Sequence, residues 1–146
     1  MPLIDITIPA GALEPAAAKS LPDELATILL RWEGAPDTEF FREITWVYLH
    51  EIPDGGLAVG GRPGGAPRYR VDITVPEGAL SQRRKDGLVA DVHAAVVAAA
   101  GLAPEHALRV WTLIREVPVG NWGAAGQTIR FADLKKSAER ERAAAS

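Results

Sequence analysis

The segment IDITIPAGAL at residues 4–13 returns as VDITVPEGAL at residues 71–80. Seven of the ten positions are identical, and two of the three differences exchange isoleucine for valine. A match of this length indicates an internal duplication. In both copies apolar residues alternate with Asp and Thr up to a Pro-x-Gly break, which is the pattern of a strand that enters a turn. A helical pattern and a second strand follow each copy, so the chain is predicted to contain two β-α-β units.

The duplication sets the expected domain organisation. A length of 146 residues suits one domain, residues 1–146, in which the two units share a core. The repeats are predicted to cover residues 2–61 and 68–131. A polar C-terminal tail at residues 132–146 follows, which is predicted to form a polar helix or to fray. A β-α-β unit joins two parallel strands through a right-handed crossover. Two such units predict an α+β fold with a four-stranded mixed sheet and both helices on one face.

The apolar spacing predicts the bounds of each element. Long strands are predicted at residues 3–9, 45–52, 68–75 and 108–117, and helices at residues 15–33 and 81–100. Pro22 lies inside the first helical pattern and is predicted to kink that helix or to delay its start. Ile129 and Phe131 are predicted to form a final short strand. The apolar strands leave one face of the sheet without helices, and this predicts self-association across that face.

Composition argues against several classes of function. The formal net charge is −3 with scattered Lys and Arg, so no nucleic-acid partner is expected. The chain has no Cys, and its three His lack metal-ligand spacing, so neither a disulfide nor a bound metal is expected. No apolar run is long enough for a membrane span, and the N-terminus lacks the pattern of a signal peptide. A cytoplasmic location is therefore predicted.

Three stretches together resemble the tautomerase superfamily, which includes 4-oxalocrotonate tautomerase, the cis- and trans-3-chloroacrylate dehalogenases, malonate semialdehyde decarboxylase and macrophage migration inhibitory factor. They are Met1-Pro2, the strand and turn at residues 4–11, and Ile114-Arg115-Glu116 leading into GNWGAAG at residues 120–126. The resemblance extends from Pro2 to about Phe131. It implies the fold of these proteins, a homotrimer because two units are fused in one chain, a small-molecule substrate and no cofactor.

Pro2 is the residue that the resemblance marks as catalytic. Removal of Met1 exposes the secondary amine of Pro2 as the N-terminus. An exposed α-amino group has a pKa of about 8, and burial or a nearby Arg lowers that pKa. A neutral amine at pH 7 acts as a general base or attacks a carbonyl. The plain structural alternative is that proline simply begins a strand at a point where no amide hydrogen is needed.

The chain departs from the family at the arginines that hold carboxylate substrates. Where short tautomerases place an Arg after the strand-ending Gly, this sequence has Ala12 and Ala79. At the position of the second family Arg, it has Trp46 and Trp111. The missing carboxylate clamp argues against a dicarboxylate and favours a neutral or monoanionic keto compound.

Five other residues are candidates for substrate contacts. Trp46-Val47-Tyr48 resembles a Trp-Val-Tyr of the cis-dehalogenase, so Tyr48 is a candidate donor to an enolate oxygen. By strand phase, His50 and Arg115 are candidate substitutes for the missing cations. Asn121 and Trp122 lie in the loop that walls the family pocket. The alternatives are a half-buried strand Tyr, solvated strand residues and ordinary loop packing.

Two further sets of residues are read as structural. Asp5 and Asp72 occupy the same position in both repeats, so capping or turn contacts are predicted for them. Arg70 and Arg109 are further cationic candidates for a site, and surface charge is the favoured interpretation of both.

Three functional hypotheses follow. The first is a keto–enol tautomerase that uses Pro2 as general base, with hydration, dehalogenation and decarboxylation as variants within the superfamily. The second is a trimeric protein of the same fold that binds small molecules without catalysis. The third is a ferredoxin-like ligand-binding module, which shares the β-α-β-β-α-β order. That last hypothesis explains neither the proline at position 2 nor the near-identical strand ends.

Overall fold

A computed structural model describes residues 1–146. Its strands are β1 (Leu3–Pro9), β2 (Trp46–Ile52), β3 (Ala58–Val59), β4 (Arg62–Pro63), β5 (Tyr69–Pro76), β6 (Val110–Val117), β7 (Gly123–Ala124) and β8 (Gln127–Thr128). Its helices are α1 (Pro15–Glu33), α2 (Glu39–Glu43), α3 (Gln82–Ala100) and α4 (Phe131–Ala144), with a 3₁₀ helix at Pro104–Arg109. None of the helices is both long enough and apolar enough to cross a membrane.

The four long strands form one mixed sheet in the order β2-β1-β5-β6. Strands β1 and β2 are parallel, as are β5 and β6, whereas β1 and β5 are antiparallel. In that central pair Ile4 lies opposite Ile73, and Asp5 lies opposite Asp72. The equivalent aspartates therefore face each other, as a pseudo-twofold axis through the middle of the sheet requires. The predicted packing of the two copied segments side by side is confirmed.

Both long helices cover the same face of the sheet. Alternate residues of β1 and β5 turn inward and are fully buried, because each strand presents every second side chain to one face. They pack in one cluster with the apolar faces of α1 and α3. The fully buried members are Ile4, Ile6, Ile8, Val71, Ile73, Val75, Leu21, Leu25, Leu29, Leu88, Val92 and Val96. The predicted fold class, with two helices on one face, is confirmed.

The two helices touch through an aromatic ring on one and a glycine on the other. Trp32 of α1 packs directly over Gly87 of α3, where an added Cβ would overlap the ring. The Trp32 indole Nε1 donates to Asp91 Oδ2 over 2.7 Å, and Arg31 pairs with the same oxygen at 2.7 Å. A glycine inside a helix costs about 1 kcal/mol relative to alanine. Here it permits the close approach of the two helices.

Helix α1 runs through Pro22 as one element, so the predicted later start is wrong. The helix begins at Pro15 and keeps its hydrogen-bonded course to Glu33. Leu21 and Leu25, on either side of Pro22, are fully buried against the sheet. An internal proline costs roughly 3 kcal/mol, and burying several leucine-sized side chains at about 2 kcal/mol each outweighs that cost.

The end of the second unit differs from the prediction. Strand β7 pairs with β8 around Ala125 and Gly126, both of which have positive φ, so the hairpin closes before Ile129. Phe131 begins α4 instead of forming a strand. Strand β6 also begins two residues later than predicted, since the 3₁₀ helix extends to Arg109.

Helix α4 corresponds to the helical alternative predicted for the polar tail, and it docks on the first unit. Ala138 is buried in a small cluster with Leu30 of α1 and Phe41 of α2. The guanidinium of Arg142 donates to the carbonyl of Gly34, just beyond the C-terminal end of α1. The last element of the chain therefore lies over the end of the first helix.

Candidate active site

Pro2 lies buried immediately before β1, at the edge of a cavity. Its carbonyl accepts a hydrogen bond from the Trp46 amide over 3.2 Å, which extends the pairing of β1 with β2 by one residue. Met1 lines a cavity of about 350 Å³. The nitrogen of Pro2 is bonded to Met1, so Pro2 adjoins a residue that lines this cavity.

Four segments form the walls of the cavity. They are the C-terminal end of α1, the turn after β5, the first turn of α3 and the inner face of α4. The main lining residues are Met1, Glu33, Gly34, Pro76, Ala79, Arg84, Phe131, Leu134, Lys135 and Arg142. Ala79 is one of the two alanines that stand where the resemblance leads one to expect arginine. Its small side chain leaves space next to the N-terminus.

The cavity holds one acid and three cations. Glu33 is the single carboxylate in the lining, and the cations are Arg84, Lys135 and Arg142. Arg84 Nη1 donates to the Glu33 carbonyl over 3.3 Å, so Arg84 is anchored to the end of α1. Lys135 and Arg142 come from α4, and Lys135 makes neither a side-chain hydrogen bond nor an ion pair. Arg84, Lys135 and Arg142 therefore give the cavity positive charge, although Ala79 replaces the arginine that the resemblance leads one to expect.

Sequence reasoning missed these charged residues because three helices bring them together, and Lys135 and Arg142 reach the cavity only because α4 docks there. The chain from residue 132 is rich in Lys, Arg, Glu and Ala, which is also the composition of a solvated tail. A signal was present in Phe131, Leu134 and Ala138, which recur at the spacing of one helical face. That spacing indicates a docked helix.

Burial shifts the pKa of both titratable groups near the chain start. It lowers the pKa of the Met1 amine below its ordinary value of 8.0, while the negative charge of Glu33 acts in the opposite direction. Burial also raises the pKa of Glu33 to about 7, against the attraction of the N-terminal amine. Burial therefore favours the neutral form of the Met1 amine, which is the form that accepts a proton.

The face of the sheet without helices carries an ion cluster at its centre. Asp72 is 5% exposed and receives Arg70 Nε at 2.7 Å and Arg115 Nη2 at 3.0 Å. The opposing Asp5 lies 2.7 Å from His50 Nε2. The predicted capping or turn role of the two aspartates is wrong, because both lie in mid-strand. Asp72 pairs with Arg70 of its own strand and with Arg115 of β6, and Asp5 contacts His50 of β2. Arg70 is accordingly part of an ion pair, not only a surface charge.

Tyr48 and His50 lie away from the Met1 cavity. Tyr48 pairs with Asp5 and His50 with Thr7 in the β1–β2 register, so each lies further from Pro2 along the strand. Their rings stack with centroids 5.9 Å apart, and both are exposed on the open face. Within one chain, neither side chain lines the cavity.

Arg115, Asn121 and Trp122 belong to the same end of the sheet as Pro2. Arg115 lies opposite Thr74, and Thr74 lies opposite Leu3, so Arg115 is two strands from the start of β1. Asn121 and Trp122 follow β6 at this end, and the Trp122 carbonyl accepts from the Ile129 amide over 2.8 Å. None of the three lines the cavity within one chain. Their roles, like those of Tyr48 and His50, stay predictions.

Comparison with known proteins agrees with this architecture. Residues 70–132 match the family model described as tautomerase enzyme. No curated protein matches the chain in sequence.

Several solved structures share the fold over most of their length. Pt0534, solved after inactivation by 2-oxo-3-pentynoate, is 21% identical, with a TM-score of 0.74 over 90% of this chain and 98% of that chain. The Q0 fused 4-OT, a symmetric trimer, is 23% identical, with a TM-score of 0.72 and the same coverage. N1, a member of the cis-3-chloroacrylic acid dehalogenase family, is 20% identical, with a TM-score of 0.74 over 92% of this chain and 88% of that chain.

The family match lies in the second unit, and the shared fold extends across both. Residues 70–132 therefore match the tautomerase family, and the whole chain shares the fold of these solved structures, with two β-α-β units in one chain.

Proposed function

We propose that the protein is a cofactor-independent keto–enol tautomerase in which Pro2, exposed by removal of Met1, is the general base. The observation that carries the proposal is the position of the chain start. Pro2 is buried immediately before the first residue of β1, and Met1, which is bonded to its nitrogen, lines a cavity of about 350 Å³. Such a volume accommodates a small organic substrate.

The amine is suited to proton transfer in this position. Burial lowers the pKa of the N-terminal amine at Met1, and the Pro2 nitrogen lies one residue further into the fold. The neutral amine takes a proton from the carbon next to a carbonyl, and the C–H electron pair forms an enolate. The ammonium then returns that proton to another atom of the conjugated system, which yields the isomer and restores the base.

The charges around the cavity favour a substrate with one carboxylate. Arg84 and Lys135 are the cations placed to hold an anionic group or enolate oxygen, since Arg142 is occupied by the Gly34 carbonyl. Glu33 is a single opposing acid that disfavours a second negative charge nearby. A small 2-keto acid or its enol fits this arrangement better than a diacid does.

We infer a homotrimer as the functional form. The Q0 fused 4-OT, which shares the fold, is a trimer. In this chain Trp46 is 60% exposed on the open face of the sheet, which is unusual for a side chain of this size unless a partner covers it. In such an assembly a neighbouring subunit brings Tyr48, His50, Arg115, Asn121 or Trp122 to the cavity.

Light scattering tests the assembly. A mass three times that of the 15.6 kDa chain is expected at micromolar concentration. A monomer mass would contradict both the trimer and the contribution of neighbouring subunits to the site.

Intact-mass measurement tests the chemistry directly. The purified protein is expected to lack Met1 and to gain one adduct from 2-oxo-3-pentynoate, the compound that inactivated Pt0534. Digestion is expected to place the adduct on the peptide that begins with Pro2. The chain has no Cys, so no thiol competes for the electrophile.

The control is a variant with one alanine inserted between Met1 and Pro2, in which the proline nitrogen becomes an amide. We expect this variant to stay unlabelled at Pro2 and to lose tautomerisation of phenylenolpyruvate. Retained Met1 in the wild-type protein, or unchanged activity in the insertion variant, would overturn the proposal and favour a non-catalytic binding protein.

A further inference from the structure

A second cavity, of about 310 Å³, lies at the opposite end of the sheet from Pro2. It is formed where β5 begins, between the C-terminal end of β2, the β3–β4 hairpin and the start of β6. The lining residues are Thr7, Ile52, Leu57, Ala58, Val59, Gly60, Arg68, Tyr69, Arg70, Arg109 and Trp111. None of them lines the Met1 cavity.

This cavity is strongly cationic. Three of its lining residues are arginines, and none is an acid. Arg70 is neutralised by Asp72 at 2.7 Å, but Arg68 and Arg109 have no carboxylate partner. Arg68 Nη1 donates only to nearby carbonyls, at 2.7 Å to Ala66 and 3.4 Å to Pro67. Two positive charges are therefore uncompensated on the walls of one concave space.

Arg109 is the less constrained of these two cations. Its side chain is half-buried and makes neither a hydrogen bond nor an ion pair, so all five of its N–H donors are available. Its charge is felt at Tyr69, where it opposes the rise in pKa that burial imposes on the phenol. A partly desolvated guanidinium with unused donors has a strong preference for a carboxylate or phosphate oxygen.

The remaining walls are apolar and one of them is aromatic. Ile52, Leu57 and Val59 form one side, and Trp111, which is 66% exposed, forms another. Inorganic anions gain nothing from such walls. An organic anion buries its hydrocarbon part against them while its carboxylate meets the arginines.

This cavity has no N-terminal amine, unlike the equivalent end of the first repeat. Tyr69 occupies in the second repeat the position that Pro2 occupies in the first. Its nitrogen is an amide inside the chain, which is not a base at pH 7. This end of the sheet can bind an anion but has no amine to move its protons.

We propose that the cavity at the Tyr69 end of the sheet is a separate, non-catalytic binding site for a small monocarboxylate with an apolar or aromatic body. The proposal is independent of the function proposed for Pro2, because the two cavities share no residue.

Calorimetric titration with phenylacetate tests the proposal. The wild-type protein is expected to bind it, and Arg109→Gln is expected to weaken binding about tenfold or more, as loss of a charged hydrogen bond does. Arg83→Gln is the matched control, since Arg83 is an exposed arginine on α3 outside both cavities. The variant with alanine inserted before Pro2 is expected to bind phenylacetate as the wild type does.

Two further titrations distinguish the ligand class. Benzyl alcohol, which lacks the carboxylate, and inorganic phosphate, which lacks the hydrocarbon, are each expected to bind much more weakly than phenylacetate. Trp111→Phe is expected to remove the change in tryptophan fluorescence that accompanies binding. Equal binding of phosphate would overturn the organic class of ligand. Full affinity in Arg109→Gln, or loss of binding in the insertion variant, would overturn the site itself.

Discussion

The Pro2 end and the Tyr69 end of the sheet are built from the same repeated strand, yet they have different chemistry. At the first end the strand begins with the chain itself, and α4 covers a cavity that contains Glu33. At the second end the strand is entered from a loop, and the β3–β4 hairpin borders a cavity with three arginines and no acid. Duplication repeated the backbone geometry, but only one copy has a chain terminus.

Covalent position accounts for this difference. A strand residue has an amide nitrogen unless it is the first residue of the mature chain. We therefore propose an N-terminal amine site at the Pro2 end of the sheet and not at the Tyr69 end, however similar the two repeats are. Helix α4 adds a second difference between the two ends of the sheet. It follows the second repeat and docks at the end of α1, so it lines the Met1 cavity and not the cavity at the Tyr69 end.

The largest expected effect tests this asymmetry. Pro2→Ala replaces the secondary amine by a primary one, and we expect kcat/KM for phenylenolpyruvate to fall about 10²-fold or more, within the range for loss of general-base catalysis. Tyr69→Phe, at the equivalent position of the second repeat, is expected to change it less than threefold. Steady-state kinetics of both variants decide the matter. A comparable loss in Tyr69→Phe would show that catalysis is shared between the two ends.

The next comparison concerns the two opposed aspartates at the centre of the sheet. Asp72→Asn leaves Arg70 and Arg115 without a counter-charge, and we expect the free energy of unfolding to fall by about 2 kcal/mol. Asp5→Asn is expected to cost less, because its partner His50 is half exposed and Asp5 itself is more solvated. Urea unfolding of both variants at pH 7 measures the difference. Equal losses would contradict the view that burial makes Asp72 the more important of the pair.

Glu33 provides a test that depends on pH. Burial raises the pKa of Glu33 from 4.5 to about 7. Between these two pH values the carboxyl ionises readily in the unfolded chain but not in the folded protein, so the free energy of unfolding falls as the pH rises through this range. Glu33→Gln removes the penalty. We expect the variant to unfold like the wild type at pH 4 and to be more stable by about 2 kcal/mol at pH 8, after allowance for solvent screening.

The same substitution also changes the proton affinity of the amine. The negative charge of Glu33 raises the pKa of the N-terminal amine, so Glu33→Gln is expected to lower it. The acid limb of the pH–rate profile then moves to lower pH. If the acid limb of the pH–rate profile does not move in Glu33→Gln, then Glu33 does not influence the pKa of the base at Pro2.

The smallest expected effect compares equivalent positions of the two helices. Gly87 of α3 corresponds to Ser20 of α1. Gly87→Ala gains helix propensity, but its Cβ overlaps the Trp32 ring, and we expect a net loss of about 1 kcal/mol in unfolding free energy. Ser20→Ala lies at an exposed position and is expected to be neutral or slightly stabilising. Thermal unfolding compares the two, and a stabilised Gly87→Ala would mean that Trp32 moves without cost.

Much of the fold was predictable from the sequence because its signals are local or repeated. The copied segments predicted two equivalent strands that pack side by side, and the structure pairs them in the antiparallel direction. The apolar spacing in both helical stretches predicted which faces would be buried. These inferences depend on the two periodicities of helix and strand, which leave a direct record in the order of residues.

Only the tertiary structure decided the surroundings of Pro2. Glu33, Arg84 and Lys135 come from three helices that are distant in sequence, and each alone is indistinguishable from a surface charge. The same holds for Asp5 and Asp72, whose roles as opposed mid-strand ions depend on register between strands. Sequence patterns determine which face of an element is apolar. Which charges meet in one cavity depends on how the elements pack, and that is set by the sum of contacts over the whole chain.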